Sequence, residues 1–452
     1  MRESELLTRE DCRKIFDQVL DLAQSMGVDE VEVTLSATAA ALTRFANNAI
    51  HQNVTERRRQ LSVRTILEGR TGRATTNRTD EDSFERVVEE AVTLTRAQDP
   101  DPELLPLPEP AEVPEVDRFC PSTAASTPAR RARTVAEAIR LVESASQTAA
   151  GIYAASHAVE AILNSRGLFA YYCDTLAQFS ITAMGPDSSG WAKASAPDCS
   201  RISPLELAQR ASAKAALSKN PRELAPGRYT VILEPAAVQD LLGQMFYDFS
   251  ATALRDQRSF LTGRLGERLF GDAIHIADDV CHPLQSGAPF DGEGVPRQRL
   301  ALVEGGIPRQ VAYSRQAACR DGVAPTGHGF PLPNEYGEAP VNIVMEGGPS
   351  TPDQMIASTG RGILVTRLWY IREVDPYQKI MTGMTRDGTF LIEDGSLVSG
   401  LKNFRFNQSL IELLSNVEAL SIPQRASGEE SFDMVVPALK ARDFNFTEVT
   451  RF

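Results

Sequence analysis

Hydrophobic residues in the first half of the chain recur with helical and then strand-like spacing, and this order occurs twice. Helical periodicity predicts helices over residues 9–26 and 82–96, and again over residues 135–149 and 204–217. The runs between them predict strands over residues 31–35, 42–46, 50–55, 61–67, 152–158, 159–164, 168–174, 177–183 and 191–196, with turns at residues 47–48, 68–69, 71–72 and 185–190. An offset of 118 residues superposes Leu61–Val63 on Phe179–Ile181. We therefore predict an internal duplication; two unrelated α+β units are the alternative.

The second half of the chain opens with an apolar strand that leads directly into a helix. Tyr229 to Leu233 form the strand, Pro235 fits the first helical turn, and apolar residues continue at helical spacing as far as Phe249. Short strands are predicted beyond it, over residues 273–276, 300–303, 310–313, 341–345, 362–368 and 389–392, with a late helix over residues 408–416. Frequent glycine and proline between these runs are typical of a β-rich domain with long loops.

Together these patterns predict an α+β fold in which duplicated helix/antiparallel-strand/helix units precede a β-rich C-terminal domain. The predicted parts are a first α+β repeat (residues 1–98), a proline-rich linker (99–133), a second α+β repeat (134–225) and the C-terminal domain (226–452). Thr8 and Asp80 stand where N-caps are expected for the two helices of the first repeat.

Charge and cysteine usage narrow the class of protein. The formal net charge is -13, which disfavours nucleic-acid binding, and the basic triplet Arg57–Arg59 is only local. The six cysteines are scattered singly, as expected for reduced thiols in a cytosolic protein. No signal peptide and no apolar run of about 18 residues is found, so we expect a cytoplasmic protein without membrane contact.

Five sequence blocks resemble, in order, motifs of the TldD/PmbA family, known as modulators of DNA gyrase and as the two-subunit TldD–TldE metalloprotease. They are LTRFANNAIHQN (42–53), SFLTGRLGERLF (259–270) with the following Asp278-Asp279, APFDGEGVPRQRLALVEGG (288–306), PTGHG (325–329) and DGTFLIEDGSL (387–397). The resemblance covers nearly the whole chain and implies a peptidase-related protein.

The catalytic branch of that family carries HExxxH on the helix after the first strand of this domain, with a C-terminal cysteine as third zinc ligand. Aligning that helix by its proline and leucines puts Gly243, Gln244 and Asp248 at the positions of His, Glu and His. Glycine has no side chain, glutamine takes no proton, and the last cysteine is Cys319. The resemblance therefore implies the PmbA/TldE-like branch, with no metal or other cofactor and no activity alone.

Three residues in the loops of the C-terminal domain are candidates for contact with a peptide or a partner. They are His328 in PTGHG and the carboxylates Asp291 and Glu293 in FDGEG; a purely structural role is the alternative for each. The adjacent Cys281 and His282 are a weaker metal candidate. Arg44, Asn47 and Asn48 are better explained as a hairpin turn. Neither a phosphate-binding loop nor a GxSxG motif is present.

We therefore expect the non-catalytic subunit of a cytosolic TldD/TldE-type metallopeptidase that acts on unfolded or small peptides and proteins. An HExxxH-bearing TldD-like partner would supply the zinc, and an extended peptide would add to an exposed sheet edge. One alternative is a stand-alone homodimeric peptide-binding scaffold. Another is a metallopeptidase with relocated ligands drawn from His282, Asp248 and His328.

Overall fold

The computed structural model describes residues 6–450. The first half of the molecule consists of two copies of one helix–sheet arrangement, and the strands of both copies form a single six-stranded antiparallel sheet. The first copy comprises α1 (Arg9–Ser25), β1 (Glu30–Ala46), β2 (Ala49–Leu67), β3 (Arg70–Thr76) and α2 (Glu81–Ala97). The second copy, preceded by the short helix α3 (Pro121–Ala124), comprises α4 (Pro128–Ser144), β4 (Thr148–Asn164), β5 (Phe169–Met184), β6 (Ser189–Ala196) and α5 (Pro204–Leu217). The strand order is β3-β2-β1-β4-β5-β6.

The predicted duplication is confirmed by the way in which the two copies meet. Strands β1 and β4 pair antiparallel, and Ala39 lies opposite His157, which is its own equivalent at the offset of 118 residues. A local twofold axis therefore passes close to this pair. One face of the sheet packs on α1 and α2 through a cluster that includes Val33, Leu35 and Val88.

Several predicted element boundaries are wrong, for local reasons. Pairs of short strands, such as residues 31–35 and 42–46, are single long strands because the alanine-rich segments between them pair fully with their neighbours. Helix α4 begins at Pro128, within the stretch predicted as linker, because Thr127 caps it by accepting from the Arg130 amide. Gly72 and Gly190, which the sequence predicts in turns, lie within β3 and β6.

The C-terminal domain begins with the predicted strand and helix. Its helices are α6 (Pro235–Leu242), α7 (Ala251–Arg255), α8 (Arg315–Asp321), α9 (Pro352–Ala357) and α10 (Leu410–Ser415). Its strands are β7 (Gly227–Leu233), β8 (Ile276–Asp278), β9 (Leu300–Glu304), β10 (Ile307–Pro308), β11 (Ile343–Met345), β12 (Arg361–Asp375), β13 (Ile380–Glu393), β14 (Ser396–Gly400), β15 (Phe404–Ser409), β16 (Val417–Leu420), β17 (Gln424–Ala426), β18 (Met434–Val436) and β19 (Leu439–Val449). They form two mixed sheets, and α6 is buried among them.

Helix α6 is shorter than the apolar periodicity predicts. Gly243 is the C-cap of α6, and Phe246–Asp248 form a separate 3-10 turn. Phe246 is therefore buried from this turn and not from a continuation of the helix. The strand predicted over residues 310–313 is also wrong, since only an isolated bridge between Ala312 and Ser250 is formed there.

The two halves pack through a small apolar cluster and several polar contacts. Ile162 and Tyr172 on the second face of the first sheet contact Phe290 of the C-terminal domain. On β6, the Lys193 ammonium donates to the Gly428 carbonyl at 2.6 Å, and the Ser195 hydroxyl donates to Asp433 at 2.6 Å. None of the described helices has the length and apolar character needed to span a membrane.

Candidate functional site

Residues 428–432 form a cover segment that lies directly over α6. The Gln239 side chain bonds this segment at both ends: Oε1 accepts from the Gly428 amide, and Nε2 donates to the carbonyls of Ser431 (2.9 Å) and Phe432 (2.7 Å). Asp240 Oδ1 accepts from the amides of Glu429 (3.1 Å) and Glu430 (2.9 Å). Gln239 and Asp240 are fully buried beneath the cover segment, whose own residues reach the surface at Glu429.

Gly243 is required by the close approach of the cover segment. A Cβ atom at this position would lie 1.7 Å from Ser431 Oγ and 2.4 Å from Ser431 Cβ. No side chain therefore fits at position 243 while the cover segment is in place. Gln244, the next residue, donates from Nε2 to the Glu430 carbonyl at 3.3 Å and so supports the same segment.

Asp248 serves a structural ion pair. Its Oδ2 lies 2.5 Å from the buried Lys379 ammonium, and its Oδ1 accepts from the Phe260 amide at 3.2 Å. Burial raises the pKa of Asp248, although the Lys379 charge opposes that rise. Lys379 also pairs with Glu373 at 2.6 Å. The Asp248 carboxylate is thus one member of an ion-pair network and is held in place by Lys379 and the Phe260 amide.

A second register of the HExxxH comparison, four residues earlier, puts Gln239, Asp240 and Gln244 at the positions of His, Glu and His. These three side chains converge on the cover segment, whereas Gly243, Gln244 and Asp248 lie across the end of α6 and the following 3-10 turn. Alignment by the leucines does not find this second register; the polar residues Gln239, Asp240 and Gln244 in an otherwise apolar segment are the signal for it.

Asp240 is the most unusual carboxylate of this site. Burial raises its pKa to about 7, although the amides of Glu430 and Glu429 oppose the shift. Its Oδ2 is buried and has no hydrogen-bond partner among residues 6–450. A carboxyl with this pKa is largely protonated below neutral pH, so it can stay inside the protein without a counterion.

The residues of neither register fit a zinc ion. Structural and catalytic zinc sites use at least three converging His, Cys or carboxylate ligands, and the amide side chains of Gln239 and Gln244 are bonded to backbone groups instead. Over residues 6–450, the structure brings together no group of three or more His, Cys, Asp or Glu side chains able to hold a metal. His282, Asp248 and His328 are therefore not assembled as relocated ligands.

His328 is buried rather than displayed on the surface. Its Nδ1 lies 3.0 Å from Thr326 Oγ1, and its Nε2 lies 3.2 Å from Asp278 Oδ1. Asp278 also accepts from the amides of Val341 and Asn342 at 2.7 and 2.8 Å. Burial alone would raise the pKa of Asp278, but His328, the charge of Arg297 and the Asn342 amide outweigh burial and lower it. Because His328 is only 1% exposed, contact with a peptide would require its loop to move.

Asp291 and Glu293 are brought together with the glycine-rich loop that carries His328. Asp291 accepts from the amides of Glu293 and Val295, both at 2.9 Å, and from the Gly329 amide at 2.7 Å. Burial raises the pKa of Asp291; burial and the nearby Asp291 raise the pKa of Glu293 to about 7. These bonds match the structural alternative, in which the carboxylates hold the loops.

A cavity of about 400 Å³ lies where these loops face the first sheet. Its wall includes Ser36 and Glu160 of the sheet and Asp291, Arg297 and Asn342 of the C-terminal domain. Burial raises the pKa of Glu160, with a further contribution from Asp174. The predicted contact residue Asp291 thus reaches a cavity between the two halves, although its oxygens are occupied by backbone amides.

The remaining predicted residues have local roles. Asn47 and Asn48 both adopt positive φ, and the side chain of Asn48 donates to the Gln147 carbonyl and accepts from the Ala149 amide. This supports the interpretation of that segment as a hairpin turn. His282 Nδ1 accepts from the Leu284 amide at 3.2 Å, within its own loop.

The class of protein is shown by family models that match the chain in the order of its domains. Three family models match in order: PmbA/TldA metallopeptidase domain 1 over residues 31–95, the central domain over residues 121–219 and the C-terminal domain over residues 226–448. The chain belongs to the PmbA/TldD metallopeptidase family.

Individual relatives agree with this assignment. The Metalloprotease PmbA of Escherichia coli O157:H7 is 24% identical over 375 residues, which span 79% of this chain and 80% of the relative. The crystal structure of TldE from Thermococcus kodakarensis matches with a TM-score of 0.86 at 21% identity, covering 96% of this chain and all of that one. A Thermotoga maritima protein described as a proposed modulator of a DNA gyrase matches with a TM-score of 0.85 at 20% identity, covering 96% of this chain and 100% of that one. The structural matches support the mixed α+β fold.

Proposed function

We propose that this chain is the non-catalytic, zinc-free subunit of a cytoplasmic TldD/TldE-type metallopeptidase that acts on unfolded or small peptides and proteins. The observation that carries the proposal is the cover segment: Gln239, Asp240 and Gln244 hold it in place, and Gly243 leaves room for it. The face of α6 that would carry zinc ligands is engaged in internal packing.

A partner subunit with an intact HExxxH motif would supply the metal and the general base. In this proposal the present chain contributes walls to the peptide-binding chamber and strand edges on which an extended peptide can align.

The test separates the chain from its partner. This chain and an HExxxH-bearing family member from the same organism are purified alone and after co-expression, and zinc content and cleavage of an unfolded peptide are measured for each. We expect no stoichiometric zinc and no cleavage for this chain alone, and both for the co-purified complex. Stoichiometric zinc and cleavage by this chain alone would contradict the proposal.

The homodimeric scaffold is distinguished in the same experiment. If this chain forms a stable homodimer that never co-purifies with the HExxxH subunit, the scaffold alternative is preferred. The control variant is Gln244→Ala, which removes a hydrogen bond to the cover segment. Because Gln244 is not a zinc ligand in this proposal, the zinc content of the co-purified complex should be the same for this variant as for wild type.

A further inference from the structure

The cavity of about 400 Å³ between the first sheet and the loops of the C-terminal domain has two chemically different walls. On the sheet side, Ser36 of β1 and Glu160 of β4 are paired residues, so their side chains share one face of the sheet. Ile162 lies on the same face, two residues further along β4. Loops that include Arg297 and Asn342 form the opposite wall. The volume is within the range of about 300–1,000 Å³ that is typical of small-molecule sites.

Two buried polar atoms in the loop wall lack partners. Arg297 Nη1, a donor, and Asn342 Oδ1, an acceptor, are both buried, and neither has a hydrogen-bond partner among residues 6–450. Asn342 Nδ2 donates to the Ser286 carbonyl at 2.6 Å, which fixes the amide and leaves Oδ1 as its available acceptor. Because buried polar atoms in native proteins are almost always paired, these two atoms indicate a polar occupant of the cavity.

The cavity also places opposite charges on its two walls without joining them. The Arg297 charge acts on Glu160, yet no ion pair within 4.0 Å joins these two residues in the described part of the chain. Other carboxylates near Arg297 are already engaged, since Asp291 accepts from three backbone amides and Asp278 from two. Glu160 keeps contact with solvent, so a ligand can reach this side of the cavity.

Apolar side chains line the space between the two charges, among them Ile162, Phe290 and Phe330. A matching ligand therefore has three parts: an anionic group for Arg297, a cationic donor for Glu160, and an apolar body. A donor beside the cation would also satisfy Asn342 Oδ1. An α-amino acid with an apolar side chain has all three parts in one small molecule.

We propose that this cavity binds a free apolar α-amino acid as a zwitterion, with its carboxylate on Arg297 and its ammonium group on Glu160 and Asn342 Oδ1. Both charged ends are required, so a residue within a peptide chain does not satisfy the site. The cavity uses no residue of α6 or of the cover segment, so the proposal does not depend on the zinc-free assignment.

The first experiment measures binding to the purified full chain by isothermal titration calorimetry, with L-phenylalanine and L-leucine as probes. Each is compared with its amide, which lacks the carboxylate, and with the corresponding acid that lacks the amino group. We expect at least one amino acid to bind about ten-fold or more tightly than both of its analogues. No binding of either amino acid at about 10 mM, or an analogue that binds as tightly as its amino acid, would overturn the proposal.

Substitutions at the two charged ends locate the ligand. Arg297→Met should weaken binding of the amino acid about ten-fold or more and change binding of the amide by less than about two-fold. Glu160→Gln should do the same for the amino acid and leave binding of the acid without the amino group unchanged. This second variant tests the site even if Arg297→Met does not fold.

The matched control is Arg299→Met, which removes the same charge two residues away, from a side chain that is 58% exposed and lies outside the cavity. It should bind the amino acid as wild type does. An equal loss in Arg299→Met and Arg297→Met would show a general charge effect and contradict a site in the cavity.

A crystal structure of the full chain with the bound amino acid tests the contacts directly. The ligand carboxylate should lie within hydrogen-bond distance of Arg297 Nη1, and the ammonium group within hydrogen-bond distance of Asn342 Oδ1. Ordered water alone beside both atoms would assign the cavity to solvent and overturn the proposal. An amino acid bound elsewhere on the chain would overturn it as well.

Discussion

The two repeats of the first sheet are alike where they face their helices and unlike along their outer edges. Gly72 of β3 and Gly190 of β6 are equivalent at the offset of 118 residues, and each allows the last helix of its repeat to approach the strand backbone. At the outer edges, β3 pairs with β2 only over Leu61–Leu67, and the rest of this edge, the open edge, has no paired strand among residues 6–450. The corresponding edge of β5 is covered by residues 113–118, where the Thr175 amide donates to the Arg118 carbonyl. Val54 of β2 is 39% exposed, whereas its equivalent Tyr172 of β5 is 6% exposed. The core of a repeat tolerates little change, whereas its edge can be adapted for interaction.

The largest effect is expected where the repeats agree. A Cβ at Gly72 would lie 2.5 Å from the Thr95 amide nitrogen, and one at Gly190 would lie 2.2 Å from the Ala211 carbonyl oxygen. Because backbone atoms cannot move aside cheaply, Gly72→Ala and Gly190→Ala should each lower the free energy of unfolding by about 3 kcal/mol. Denaturant unfolding measures this.

The control for the glycine pair is Gly360→Ala, since a Cβ there meets nothing within 4 Å. It should change stability by less than about 0.5 kcal/mol. If one of the two equivalent glycines tolerates alanine while the other does not, the repeats differ in their cores as well, and the comparison fails.

The cover of β5 gives the next largest effect. Arg118 is buried and donates to the carbonyls of Val280, Gly287 and His282 in the C-terminal domain. Arg118→Ala leaves these acceptors unpaired and should destabilise by about 2–3 kcal/mol. Arg58→Ala on the open edge should fall within about 0.5 kcal/mol of wild type; equal losses would mean that the open edge is not open in solution.

Asp240 on α6, which lies beneath the cover segment, predicts how the stability of the protein depends on pH. The pKa of Asp240 is about 7 in the folded protein because of burial, against about 3.9 in an unfolded chain. Its stabilising contribution is therefore complete below about pH 4 and is lost as the pH rises through about 7. Asp240→Asn should become more stable relative to wild type by about 1–2 kcal/mol between pH 5 and pH 7.

Urea unfolding of both proteins at several pH values measures this difference. Glu293 also has a pKa raised to about 7, but it is present in both proteins and cancels in the comparison. A stability difference that does not depend on pH would show that Asp240 is ionised in the folded protein, and that the cover segment is looser than the site geometry indicates.

The smallest effect is expected at the open edge itself. Val54→Ala removes a half-exposed side chain, so the free energy of unfolding should change by less than about 0.5 kcal/mol. A large stability loss would show that this edge is packed against something.

Local sequence patterns were sufficient for much of the fold. Thr8 forms the predicted cap of α1 together with Asp11, Asp80 caps α2, and the offset of 118 residues correctly related the two repeats. These features depend on residues close in sequence or on periodicity. Gly72 and Gly190 were misassigned to turns because a glycine that admits a distant helix has the same local signature as a turn glycine.

The candidate site was less predictable because its partners are distant in sequence. The absence of a zinc motif could be stated from the sequence, but the cover segment lies almost 200 residues beyond α6, and no local pattern links Gln239 to Ser431. For the same reason, His328 and Asp291 could be named as candidates without the knowledge that backbone amides and Asp278 already occupy them.

The route of residues 99–120 has a consequence for how such a protein can arise. Two units joined in tandem share a single junction, and this junction runs from the first unit to the second along the edge of β5. One connecting segment can cover the outer edge of only one of the two repeats. The difference between the two outer edges is thus a result of chain connectivity. A circular permutation that moved the connecting segment to the other repeat would be expected to cover the edge of β2 and expose that of β5.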